Sequence, residues 1–202
     1  MTKRRLLSAT LGATLLLAQA ASVAAQTPPP IERTPEMEAH AAELAALFPE
    51  ALAGVSLLDN LEIDIGRELL AELDPSDPDD AAEIAMLDEL VAAAGVSLDD
   101  AATVGSWAQL DDETWAYLAG FQVRGGDVQP TLPFFLDAFE EDIPDALIEP
   151  GQVGDEDVTF LRSAEQPEED PLVLLTRGDM LWMLAVPADQ LVEFVGQLPE
   201  SS

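Results

Sequence analysis

An α+β fold, with an antiparallel or mixed sheet and helices packed mainly on one face, is the class predicted by this 202-residue sequence, and three observations carry it. Apolar residues recur at helical spacing as far as about residue 100, then change to alternation at Ala101. The last third holds several short apolar runs separated by turn residues. The helical stretches carry their own starts and stops in proline, serine, aspartate and glycine. Strands in runs, with helices set between them, fit this class better than a parallel sheet with strictly alternating units. The order strand, helix, strand pair, helix, strand also supports a ferredoxin-like core with additions, an assignment that carries no function.

Taken in order, residues 1–25 have the three parts of a secretory signal peptide. Lys3, Arg4 and Arg5 precede an apolar run from Leu6 to Ala18, and small residues follow around Val23, Ala24 and Ala25. The run is too short to span a bilayer, which takes ~20 apolar residues. No cysteine stands at the cleavage site, so a lipid anchor is not expected. Residues 26–34, with Pro28, Pro29 and Pro30, read as an extended linker, and 35–199 as one domain.

In that domain, Thr34 and Pro35 open a helix with Met37, Ala41, Leu44 and Phe48 on one stripe, and Pro49 closes it. Ala53 to Leu58 reads as extended, and 64–73 as a weak helix. Asp77, Pro78, Asp79 and Asp80 form the clearest helix start, with Gly95 the expected terminator. Ser97 and Asp100 have the spacing of a capping box. Strands follow at 103–109 and 114–124, the second placing Trp115, Tyr117, Ala119, Phe121 and Val123 on one apolar face. Leu132, Phe135, Leu136 and Phe139 mark a helix. Strands at 157–163, 171–177 and 180–186 precede a closing helix at 191–198.

The formal net charge is −32. Without Lys3, Arg4 and Arg5 it becomes −35, because five basic residues then face 40 acidic ones. The five are Arg33, Arg67, Arg124, Arg162 and Arg177, so no lysine remains. Such a field repels phosphate backbones and anionic headgroups, which excludes nucleic acid and anionic membrane as partners. It suits a salty exterior, a basic protein partner or divalent cations. The chain has no cysteine, so the fold rests on its core.

Motifs for chemistry are sparse. No cysteine is present and His40 is the single histidine, set in an alanine-rich helix where a solvent-facing ring is expected. Zinc and iron sites want several such ligands. The densest oxygen cluster is Asp74, Asp77, Asp79 and Asp80, a weak candidate for calcium that lacks the ligand spacing of an EF-hand; a solvated, helix-capping loop explains the same residues. Arg177, Gly178 and Asp179 spell an adhesion tripeptide placed where a two-residue hairpin turn would present it. Trp107, Trp115, Tyr117 and Trp182 could build a sugar platform, although core packing accounts for Trp115 and Tyr117. No phosphate-binding or dinucleotide loop occurs, and no cofactor is expected.

Pro49-x-x-x-x-Gly54-Val55-x-Leu57, the Gly95 to Asp100 turn and the Val153-Gly154 pair are similar to stretches of uncharacterised exported bacterial α+β proteins. The resemblance implies a fold and an export route and carries over no functional residue. The sequence thus points to an exported, non-enzymatic binding or structural domain with an acidic, salt-tolerant surface. The alternatives are an acidic partner-binding or calcium-binding module and, behind it, a carboxylate hydrolase. An exposed apolar patch with an acidic rim would favour the partner module.

Overall fold

The computed structural model describes residues 31–199, apart from 53, 72, 112, 113, 144 and 166–169 and the side chains of Asp79, Glu141 and Asp142. The expected signal peptide and the three prolines lie outside the described residues.

Helix α1 spans Pro35–Leu47 and starts as its sequence dictates: Thr34 Oγ1 accepts from the Met37 amide at 3.3 Å, with Pro35 in the first turn. The extended segment after Pro49 is a small hairpin of β1 (Ala51–Leu52) and β2 (Val55–Ser56). The weak helix expected over 64–73 is replaced by strand β3 (Glu62–Ile65) and a 3-10 turn, Gly66–Leu70. Ile63 and Ile65 alternate with Glu62 and Asp64, a period of two that pairs with a neighbouring strand and leaves too little chain for an α-helix. Helix α2 (Pro78–Ala93) ends at Gly95, whose φ of 76° suits glycine. Ser97 and Asp100 then form the expected capping box.

Strands β4 (Ala101–Gln109) and β5 (Trp115–Val123), helix α3 (Leu132–Asp142), strands β6 (Ala146–Val153), β7 (Glu156–Ser163), β8 (Leu172–Arg177) and β9 (Met180–Ala185), and helix α4 (Leu191–Gln197) complete the chain. Seven strands make one antiparallel sheet in the order β3-β4-β5-β9-β8-β7-β6, so β9 joins the strands of the middle of the chain to those of its end. This is an α+β fold.

Two finer expectations are corrected. Helices cover both faces of the sheet: α1 and α4 pack with Leu118, Val173, Trp182 and Leu184, whereas α2 and α3 pack with Phe121, Leu174, Leu181 and Met183. The reason lies in the central strands, β5, β8 and β9, which are apolar at both parities and need cover on both sides. The strand order is also not ferredoxin-like. The strands flanking α2 are direct antiparallel neighbours, so no third strand separates them as a split βαβ unit requires.

Strand β6 has no counterpart among the strands read from sequence, because Pro150 and Gly151 interrupt its pattern. It tolerates both by standing at the sheet edge, where one side of the backbone needs no ladder partner. Gly151 also leaves room for the Phe160 ring across the strand pair; an added Cβ would stand 2.3 Å from it.

Candidate functional site

The face formed by α2, α3 and the sheet is not closed along its full length. On β5 the residues of that parity run from buried Val123, Phe121 and Ala119 through half-buried Tyr117 to Trp115, which is 47% exposed. On β4 the same gradient runs from Ala101 and Thr103 to Trp107, 42% exposed. The helical layer ends before the hairpin does, and the two indoles project beyond it. Their rings meet in a tilted contact, centroids 5.1 Å apart at 52°. This geometry follows from register: Trp107 lies opposite Tyr117 and Trp115 opposite Gln109, so the tryptophans are diagonal neighbours.

Acidic residues rim the pair. Glu62 stands opposite Gly105 and Asp64 opposite Thr103, so β3 adds two carboxylates to the same face. Together with Asn60, Trp107 and Tyr117 these residues line a shallow pit of 10 Å³, room for a water-sized group. The Tyr117 hydroxyl is buried in its wall without a partner, 3.5 Å from where a Cβ on Gly105 would be, so the glycine makes the space. Burial and then the charge of Glu62 push the Tyr117 phenol above its ordinary range, and it stays protonated as a donor. Asn60 Nδ2 donates to the Trp107 carbonyl at 3.1 Å and fixes the turn that precedes β3 to this strand. The two indoles, with the two carboxylates beside Trp107, form a surface suited to a cationic group.

The sequence missed this pair by assigning Trp115 to the core. A signal was present: Gln109, Asp111 and Glu113, the alternate positions between Trp107 and Trp115 in the sequence, are all polar. Trp182 goes the other way, 1% exposed against Phe48 at 6.1 Å.

The residues singled out in the sequence fall elsewhere. Asp74 caps the Ser76 amide at 2.8 Å, and Asp80 Oδ2 accepts from the Asp74 amide at 2.7 Å. Hydrogen bonds from Ser76 hold the Asp74 carboxyl below the usual range. The backbone from Asp74 to Asp77 leads into α2, whose first turn contains Asp79 and Asp80, and the Ala81 amide donates to the Asp77 carbonyl. Among the described residues, no group of three or more acidic or histidine side chains is placed to hold a metal ion.

Gly178, with φ of 61°, and Asp179 do form the turn between β8 and β9. Arg177, however, is not presented at its tip. Its Nη2 donates to Glu156 Oε1 at 2.8 Å and its Nη1 to the Leu198 carbonyl, which ties α4 to the sheet. The physical reason is strand parity: Arg177 belongs to β8, on the side covered by α4.

His40 is buried, at 1% exposure, instead of facing solvent. It follows Met37 by three residues and precedes Leu44 by four, which puts it on the packed side of α1. Gln122 Nε2 donates to Asp179 Oδ2 at 3.1 Å, and Gln122 Oε1 meets His40 Nε2 at 2.7 Å. Because a carboxylate only accepts, the amide orientation is set and His40 Nε2 carries the proton.

No helix among the described residues is long and apolar enough to cross a membrane. No protein-family model, no curated protein and no solved structure matches the chain.

Proposed function

We propose that this protein is an exported, non-enzymatic binding domain that docks a basic segment of a partner protein on the Trp107–Trp115 face. The observation that carries the reading is the tilted, half-exposed indole pair, with Glu62 and Asp64 beside Trp107, where the helical cover ends. Lysine and arginine side chains lie favourably on indole faces, at ~0.5–2 kcal/mol per contact. Carboxylates at the rim supply counter-charge, and the overall charge of −32 draws a basic partner in from a distance. The export route rests on the signal-like residues 1–25.

The test is a titration of the protein with an arginine- and lysine-rich peptide at ordinary ionic strength, followed by tryptophan fluorescence and calorimetry. Saturable binding is expected, and Trp107→Ala with Trp115→Ala should weaken it at least ~tenfold, the usual effect of removing aromatic anchors. An acidic peptide of equal length should not bind. Equal affinity of the double variant for the basic peptide would leave only diffuse charge attraction and refute the docking face.

A further inference from the structure

The molecule carries a second concave site, at the other end of β5. Nine residues of strand separate the two ends, roughly 27 Å at the ordinary rise. There α1, the turn after β3, the capping turn at Leu98–Asp100 and Arg124 enclose a groove of 560 Å³, within the range of small-molecule pockets at roughly 300–1,000 Å³.

The arginines set this groove apart. Arg33 and Arg177 are locked into the fold at 2.7 Å and 2.8 Å from Glu68 and Glu156. Arg67, in the wall of the groove, has no ion-pair partner among the described residues. Arg124 reaches Glu43 only at 3.9 Å, with the two side chains 42% and 68% exposed, a contact worth little, and its charge also acts on the Asp100 carboxylate. In a chain with 40 acidic residues, these two weakly paired guanidiniums line the same groove.

His40 supplies the second observation. Its Nε2–H is spoken for by Gln122, and its Nδ1, an acceptor in that tautomer, is buried in the groove wall without a partner. Glu32, Glu36, Asp99 and Asp100 also line the groove, Asp100 within electrostatic reach of Arg124 and His40. They oppose a multiply charged anion and favour a ligand that carries a positive group as well. Met37 and Ile65 add an apolar wall.

We infer that this groove binds a small zwitterion of the amino-acid class, its carboxylate on Arg67 and Arg124, and its ammonium among the groove carboxylates with one N–H directed at His40 Nδ1. A guanidinium fork matches a carboxylate in two parallel hydrogen bonds, which gives the arginines their role. The inference is independent of the docking face, since it uses none of its residues.

The experiment uses free leucine and the dipeptide leucyl-leucine as probes, with isocaproate lacking the ammonium and isoamylamine lacking the carboxylate as controls. Calorimetry measures affinity, and nitrogen-15 NMR of the imidazole reads the site directly, because His40 is the single histidine. Expected is saturable binding of leucine or the dipeptide with a shift of the His40 Nδ1 resonance. Arg67→Ala with Arg124→Ala, both at exposed positions, should weaken it tenfold or more with the melting temperature little changed. Stronger binding of leucine than of the dipeptide assigns the free amino acid, and the reverse assigns a short peptide. Absence of heat and of an imidazole shift at millimolar probe, equal binding of isocaproate or isoamylamine, or equal affinity in the double variant would each overturn the assignment.

Discussion

His40, Gln122 and Asp179 join three distant parts of the chain, the first helix, the middle of the sheet and the last hairpin turn, through side chains alone. Each link matters because the groups are taken from water: a buried donor or acceptor that loses its partner costs ~1–3 kcal/mol. Replacing Gln122 with leucine keeps the volume but strands the imidazole N–H and removes a donor from Asp179. The expected loss is ~2 kcal/mol, read as a lower urea midpoint with unchanged slope. An unaltered midpoint would show that water or a rearranged partner satisfies both groups. A neighbouring residue shows the same tightness in apolar form. An added Cβ at Gly120 would stand 2.6 Å from the Met180 methyl and 3.2 Å from the Trp182 ring, so that strand position is held open for both side chains.

Elements were legible where their ends carry specific chemistry. The Thr34–Pro35 start and the Ser97–Asp100 box each name a backbone group and the side chain that satisfies it, the Gly95 stop names a left-handed backbone, and each is found as expected. For α1 the cap can be tested. Thr34→Ala should destabilise the protein by ~1 kcal/mol and Thr34→Ser far less, in thermal or urea unfolding, because only the hydroxyl reaching Met37 N is lost. Equal stability of the alanine variant would mean that Pro35 alone fixes the start. Elements without such punctuation were harder to see. Strand β3 has four residues and is recognisable mainly through its pairing with β4, and β6 hides behind Pro150 and Gly151. The two-sided cover of the sheet follows from β5, β8 and β9 being apolar at both parities, a pattern that one-face reading of Trp115 to Val123 overlooked. The candidate site was lost by the same route. Local alternation places a tryptophan on a face but does not say where the covering helices stop, and that depends on distant residues of α2 and α3.

At the scale of the whole molecule, charge decides how stability responds to conditions. Arg33, Arg124 and Arg177 each meet a glutamate among the described residues, against 40 acidic residues in the chain, so self-repulsion dominates. Salt shortens the screening length from ~10 Å at 0.1 M to ~3 Å at 1 M, and the melting temperature at neutral pH should climb across that range. Acid acts in two opposed ways. Burial, and secondarily Asp80, raises the Glu83 carboxyl above its ordinary value, so the folded state takes up this proton before the unfolded chain does. That uptake adds stability as pH falls toward the carboxylate range, in the same direction as the relief of repulsion. Asp74 and Asp100 are shifted the other way by hydrogen bonds from Ser76 and Ser97. Their contribution is complete above the unfolded carboxylate value of ~3.9 and is lost as pH drops through their lower folded values. The melting temperature should therefore rise from pH 7 to a maximum in mildly acidic solution and fall again below about pH 4. High salt should flatten the first limb, whose origin is largely repulsion, and leave the second, whose origin is local hydrogen bonding. Calorimetry at low and high salt across this range checks both limbs. A melting temperature insensitive to salt at pH 7, or a steady decline from pH 7 downward, would mean that the acidic surface does not oppose the fold.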